Sequence, residues 1–163
     1  MLHIRPATIG DLPEITEIYN DAILKTTATF DTEPKTLDEQ KVWFEHHDAS
    51  FSVIVAEENG VVLGWASLSR WSDRCAYSKT GEVSLYVRES HRGKGIGRKL
   101  FETIMEEGKQ VGLHTVLSRI AQDNPISIHL HEEMGFKEVG VMREVGVKFG
   151  KLLNVHLLQK IYE

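Results

Sequence analysis

The stretch from Glu82 to Ala121 constrains the fold more than any other part of the chain, because it joins two hydrophobic periods through a glycine-rich turn. Glu82 to Val87 alternates as a strand does, and after the glycines Leu100, Phe101, Ile104, Met105 and Val111 recur on one helix face. Thr115 to Ala121 is again extended. A strand, a helix and a strand of this length form a crossover unit, which places the two strands parallel with a right-handed connection.

The flanking segments extend the sheet. Thr8-Ile9-Gly10-Asp11 is a possible capping box before a helix whose face carries Leu12, Ile15, Ile18, Tyr19, Ala22 and Ile23 and which ends near Lys25. A loop from Thr26 to Pro34 leads to Thr36-Leu37-Asp38-Glu39, a cap for a second helix carrying Val42, Trp43 and Phe44. Residues 51–56 and 61–68 flank Asn59-Gly60, a dipeptide favoured where both turn residues take positive φ, and so predict a hairpin. Past the crossover unit, Asn124 is placed to cap a short helix with Pro125 at its first position and Gly135 as its stop. Residues 136–147 and 151–160 close the chain as a hairpin around Phe149-Gly150, and Trp43, Phe44 and Trp65 are expected in the core. The order β-α-α-β-β-β-α-β-α-β-β predicts an α/β (α+β) fold: a central mixed, mostly antiparallel sheet of about seven strands with four helices on its faces.

Composition decides what kind of partner such a fold can meet. With 163 residues, 41% apolar and 26% charged, the chain fits one globular domain spanning 1–163. A net charge of −5 argues against a nucleic-acid surface, so any anion site must be local. Cys75 is the only cysteine, which excludes an intrachain disulfide and suits a reducing compartment. The start Met1-Leu2-His3-Ile4-Arg5-Pro6 lacks a signal-peptide pattern, and no apolar run nears the ~18 residues of a membrane span. A cytoplasmic protein with no membrane partner is expected.

The turn Arg92-Gly93-Lys94-Gly95-Ile96-Gly97 carries the local anion site. A helix N-terminus bears roughly +0.5 of a charge and free N–H groups, and so normally attracts Asp or Glu. Here Arg92, Lys94, Arg98 and Lys99 crowd it instead, while Gly93, Gly95 and Gly97 remove side chains that would block the backbone. That arrangement predicts a bound diphosphate or similar anion, against the alternative of a flexible turn with solvated basic residues. A Walker-type loop would need Ser or Thr after Gly93-Lys94, where Gly95 stands, and a dinucleotide fingerprint would need glycine at Arg98.

On these residues the chain resembles the GNAT acetyltransferases, whose pyrophosphate loop has the form Arg/Gln-x-x-Gly-x-Gly/Ala, matched by Arg92, Gly95 and Gly97. The resemblance spans nearly the whole chain. Ala76-Tyr77, Thr80 to Val87 and Leu130-His131-Glu132-Glu133-Met134-Gly135-Phe136 look like the phosphinothricin and methionine sulfoximine acetyltransferases within that family. It implies acetyl-CoA as donor and no metal, with the cofactor at the splay between two parallel strands. It also implies that the backbone of Leu85, Tyr86 and Val87 pairs with the pantetheine arm, that Gly93, Lys94, Gly95, Ile96, Gly97 and Arg98 hold the pyrophosphate, and that Asn124 touches the cofactor.

Amine acetylation needs an uncharged nitrogen, a proton acceptor and stabilisation of the oxyanion. Glu82 suits the first two tasks, since strand periodicity puts it on the face of Ser84 and Tyr86, opposite Val83, Leu85 and Val87. A solvated strand-end carboxylate is the alternative on the residues alone; the family resemblance implies a general base, acting directly or through water. Asn124, Ser127 and His131 share a face of the short helix, which should look toward the cofactor. His131 stands where many family members have tyrosine, and either donates to the leaving thiolate or orients substrate. The loop Arg70 to Tyr77 precedes Glu82 with two aromatics and two arginines, and the subfamily resemblance makes Arg74 a carboxylate reader, with Ser72 and Asp73 beside it. Phe30, Tyr77, Val83, Ser84 and Val155 are expected around the acceptor. His129 and His131 diverge on a helix and form no metal pair, and Cys75 is expected to be a small, partly buried thiol.

The reading that follows is an acetyl-CoA-dependent N-acetyltransferase of the α-amino group of small amino-acid analogues, with a small amine as substrate and a homodimer as its form. Acetylation of protein N-termini or another amine is a second enzyme reading, because the family shares its cofactor half and varies its acceptor half. A non-catalytic sensor of CoA or another phosphate compound is the reading from a different class.

Overall fold

A computed structural model describes residues 1–163. The elements are β1 (His3–Pro6), α1 (Leu12–Lys25), α2 (Leu37–Glu45), β2 (Val53–Glu58), β3 (Val61–Arg70), β4 (Thr80–Val87), α3 (Ile96–Gln110), β5 (Thr115–Ala121), α4 (Pro125–Glu133), β6 (Lys137–Lys148) and β7 (Lys151–Ile161). The seven strands form one sheet in the order β1-β2-β3-β4-β5-β7-β6. Only β4 and β5 are parallel neighbours, as the crossover through α3 requires. No helix is long and apolar enough to cross a membrane.

The turn chemistry acts where the residues predict it. Asn59 and Gly60 take φ of 52° and 79°, and Phe149 and Gly150 take 53° and 73°, the pair of left-handed residues that matches strand twist in a two-residue hairpin. Thr36 and Glu39 cap α2 reciprocally, Glu39 N–H donating to Thr36 Oγ1 at 3.1 Å and Thr36 N–H to Glu39 Oε1 at 3.3 Å. Before α1 a single 3₁₀ turn intervenes, within which the Asp11 carboxylate accepts from Thr8 N–H at 2.7 Å. Asn124 holds the expected N-cap position of α4, with Ile128 N–H donating to its carbonyl at 3.2 Å. Its side chain makes no cap bond, and Nδ2 instead donates back to the carbonyls of Ala121 and Gln122 at 3.0 and 3.1 Å. Gly135, at φ 93°, ends α4 as expected, with Phe136 N–H donating to the His131 carbonyl at 3.0 Å.

Alternation along the strands sorts the core onto the two faces of the sheet. On one face Val83, Val116, Ile120 and Leu158 pack with Leu100, Phe101, Ile104 and Met105 of α3. On the other, Val53, Val55 and Trp65 pack with Leu12, Ile15 and Ile18 of α1. Trp43 and Phe44 are half-buried against that second cluster, short of the full burial of Trp65. Cys75, expected to be partly buried, is exposed on the β3–β4 connection, where residues 73–79 all face solvent.

Gly108, in the interior of α3, lacks a side chain for a packing reason. A Cβ there would lie 2.7 Å from Tyr162 Oη and 3.0 Å from Leu68 Cδ1. Tyr162 Oη is held in place by donating to the Met105 carbonyl at 2.6 Å, so it cannot retreat freely. Alanine gains about 1 kcal/mol in helix propensity, but overpacking costs about 1–3 kcal/mol. Gly108→Ala is therefore expected to lower the urea unfolding midpoint, and Tyr162→Phe in the same chain to recover part of the loss.

Candidate active site

The sheet comes apart at one place. β4 and β5 pair only through Thr80↔Thr115, Gly81↔Val116 and Glu82↔Leu117. Beyond Glu82, β4 stays bonded to β3 as far as Val87↔Gly64, and β5 stays bonded to β7 as far as Ala121↔Val155. The edges of β4 and β5 that face each other past Glu82 are thus left without a strand partner, and buried backbone polar groups need one. A cleft of about 460 Å³ opens there.

Its lining brings together ten of the expected residues. Glu82, Val83, Ser84, Leu85 and Tyr86 come from β4, Asn124, Ser127 and His131 from α4, Phe30 from the loop after α1, and Val155 from β7. Glu82 lies on the sheet face of α1, whereas His131 lies on the face of α3, packed edge-on against Phe101 and Phe136 at centroid distances of 4.6 and 5.0 Å. Both line one cleft, so the cleft passes through the sheet. Val87 and residues 92–98 do not line it, although Gly97 lies beside Val87 and the cleft residue Leu85, and Ser72, Asp73, Arg74 and Tyr77 sit outside it on an exposed connection.

At the glycine-rich turn, Gly93 and Gly95 take φ of 77° and 82°, and a Cβ on either would meet no atom within 4 Å. Gly95 is the residue before α3, and Lys99 N–H is bonded to its carbonyl at 3.2 Å, so the amides of Ile96, Gly97 and Arg98 are those a helix start leaves free. The Ile96 side chain is buried, which leaves only its backbone for a ligand. No acidic residue occupies the first turn of α3. Arg92 Nε donates to the Val87 carbonyl at 3.3 Å, and Lys94 and Lys99 make no ion pair. Arg98 is engaged elsewhere, paired with Glu133 of α4, which also meets His129 Nε2 at 2.6 Å. Free amides, bare glycines and unpaired cations suit a diphosphate, and the open edges of β4 and β5 suit an extended amide chain, so the residues present fit a CoA thioester.

His131 is only 6% exposed, and burial pushes its pKa down to about 4. Its Nδ1 lies 2.7 Å from the Ser127 carbonyl, which can only accept. The neutral ring therefore carries its proton on Nδ1, and Nε2 is an acceptor.

Three features of the site went unforeseen in the sequence. Arg119 of β5 forks onto Glu82, Nε to Oε2 and Nη2 to Oε1 at 2.7 Å each. The loop after α1 contributes Thr27, Thr29 and Asp31 beside Phe30, with Tyr19 Oη bonded to Asp31. That loop is held from the far hairpin: buried Lys148 Nζ donates to the Thr29 carbonyl at 2.7 Å, and a Cβ on Gly146 would fall 2.2 Å from Phe30 Cε2. Burial lowers the Lys148 pKa.

Comparison with known proteins agrees with this geometry. The acetyltransferase (GNAT) family matches residues 14–136. The chain is 40% identical over 157 residues to the L-methionine sulfoximine/L-methionine sulfone acetyltransferase of Salmonella typhimurium, covering 96% of this chain and 92% of that one. It is 39% identical over 159 residues to the L-amino acid N-acyltransferase MnaT of Escherichia coli, covering 97% and 92%. A GNAT superfamily phosphinothricin acetyltransferase from Sinorhizobium meliloti, solved in complex with acetyl-CoA, superposes with a TM-score of 0.94 at 32% identity, over 98% of this chain and 88% of that one. With a parted parallel pair, a glycine turn stripped of acidic residues and a matching sequence along nearly its whole length, the chain belongs to the GNAT acetyltransferase family.

Proposed function

We propose that the protein transfers the acetyl group of acetyl-CoA to the α-amino group of small amino-acid analogues such as methionine sulfoximine, methionine sulfone and phosphinothricin. The observation that carries this reading is the Glu82 carboxylate, seated where the paired part of β4 ends and the cleft begins. Acetyl-CoA supplies an activated thioester. The chain's own residues must position an amine beside it and remove a proton from the nitrogen, and Glu82 is placed to take that proton. The Arg119 fork fixes the orientation of the carboxylate beside the cleft.

The glycine-rich turn is the proposed pyrophosphate seat and the free edge past Glu82 the proposed pantetheine track, with Asn124 and Ser127 alongside. His131 fits an orienting role better than that of a proton donor, since its one N–H is committed to Ser127. The reading includes a homodimer. Edge strand β6 leaves Val139, Val141, Val145 and Val147 exposed, an apolar face that a second copy would cover.

Three measurements examine these assignments. Glu82→Gln preserves shape but removes basicity, so kcat should fall by about 10²–10⁴ with CoA affinity little changed, and activity should recover only at higher pH, where free amine is abundant. Parental kcat with an unaltered profile would remove Glu82 from the mechanism. A Cβ at Gly97 meets Val87 Cγ2 at an ordinary 3.6 Å, so Gly97→Val should fold while its side chain crowds the free amides. Calorimetry should show CoA binding weakened by about tenfold or more, the worth of one charge-assisted hydrogen bond. For His131, an unfolded chain takes up a proton near pH 6.5 that the folded chain refuses until about pH 4. Stability should therefore be full above that window and fall as pH drops through it, and His131→Phe should flatten this part of the denaturation profile.

A further inference from the structure

Arg74, the expected carboxylate reader, lies on an exposed connection outside the cleft, whereas a different arginine stands within it. Arg119 sits on β5, on the same face of the sheet as Glu82, and its guanidinium carbon lies 5.2 Å from the centre of the Trp71 ring. Its Nε and Nη2 are spent on the two Glu82 oxygens. That fork uses one edge of the guanidinium. Nη1 makes no hydrogen bond, and the side chain is 53% exposed, against 18% for Glu82. A guanidinium offers a second edge of parallel N–H bonds, Nη1–Nη2, whose geometry matches a carboxylate.

We propose that Arg119 binds the carboxylate of the acceptor on this free edge while Glu82 takes the amino group, making the Glu82–Arg119 pair a receptor for zwitterionic α-amino acids. The proposal rests on the amino-acid N-acetyltransferase reading and specifies how that site selects its substrate class. In an α-amino acid the nitrogen and the carboxylate hang from one carbon, so its two charges are as close together as the two halves of the ion pair. Placed against the pair, the four charges alternate in sign around a ring. The guanidinium also stands between the two carboxylates, which would otherwise repel. A simple amine fills only the Glu82 half, and an amino-acid ester forfeits the charge-assisted fork on Arg119. The half-exposed position keeps the desolvation cost of Arg119 small, so the new contact is not cancelled by burial.

The test compares each free amino acid with its methyl ester, using methionine sulfoximine and methionine sulfone as acceptors and following thiol release. Arg119→Gln should raise KM for the free acids by about 10- to 100-fold, the worth of one charge-assisted fork, with the esters much less affected, so that the acid-to-ester ratio of kcat/KM collapses. Arg119→Lys, with charge but no fork, should fall between. Arg74→Ala is the paired comparison, because the subfamily resemblance expects that residue to read the same carboxylate. If Arg119→Gln lowers kcat for acids and esters alike, Arg119 only props Glu82 and the assignment is overturned. Collapse of the ratio in Arg74→Ala with Arg119→Gln unaffected would overturn it equally. Should a variant fail to fold, product inhibition of the parent enzyme decides: N-acetylmethionine sulfone should inhibit more strongly than its methyl ester, and equal inhibition overturns the proposal. A parent enzyme that acetylates amines but no amino acid would sink the amino-acid reading itself, whereas a parent selective for free acids with an unmoved ratio in Arg119→Gln would sink this inference alone.

Discussion

Two strands held firmly on their outer sides and released from each other on their inner sides govern this molecule. β4 is bonded to β3 along its length and β5 to β7, so neither can swing to close the gap that opens past Glu82. The gap is thus a property of register, and the backbone groups along it retain an unmet demand for partners. Closing it would mean breaking one of two longer antiparallel ladders to extend a pair of three residues. Everything that reaches the cleft, from Glu82 and Arg119 on one face to His131 on the other, is placed relative to that parting.

Electrostatics at the two ends of the cleft follow opposite rules. At the glycine-rich turn, positive side chains stand on an already positive helix end, an arrangement that is unfavourable until an anion joins it. At the Glu82 end the charges are already matched, with a carboxylate and a guanidinium satisfying each other at 2.7 Å. The first end is poised to gain a charge, whereas the second already holds its charges in a pair. Arg98 shows the limit of reading such a turn as one cluster, because its guanidinium is drawn away to Glu133 and ties α3 to α4.

The fold was legible in the sequence wherever its cause was local. Asn59-Gly60, Phe149-Gly150, Thr36 with Glu39, and Gly135 all act through the conformation or hydrogen bonding of a few neighbouring residues, and each works as its pattern predicts. Helix spacing likewise brought Asn124, Ser127 and His131 to one cleft. What was hidden depends on distant pairing. Arg119 meets Glu82 only because β4 and β5 are parallel neighbours in one register, and a single arginine in a strand carries no pattern that reveals such a partner. The threonine-rich loop after α1 reads as polar connection, and its place at the cleft is set by a lysine on the last hairpin. Asn124 holds the N-cap position as its pattern predicts, but its side chain turns back to the carbonyls of Ala121 and Gln122. Cys75, whose residue type suits burial, is exposed because its connection packs against little else.

The contact between Phe30 and Gly146 has an evolutionary consequence. One residue lines the cleft and the other lies in the closing hairpin, yet a side chain on the second would overlap the ring of the first. Residue 146 is therefore not free to drift alone. While the Phe30 ring keeps its place, a side chain at residue 146 would have to displace it, and a descendant that reshapes the cleft by shrinking residue 30 would release the hairpin position from that constraint. Among homologous chains the two sites should therefore change as a pair, the far hairpin keeping a record of how the acceptor end has been remodelled.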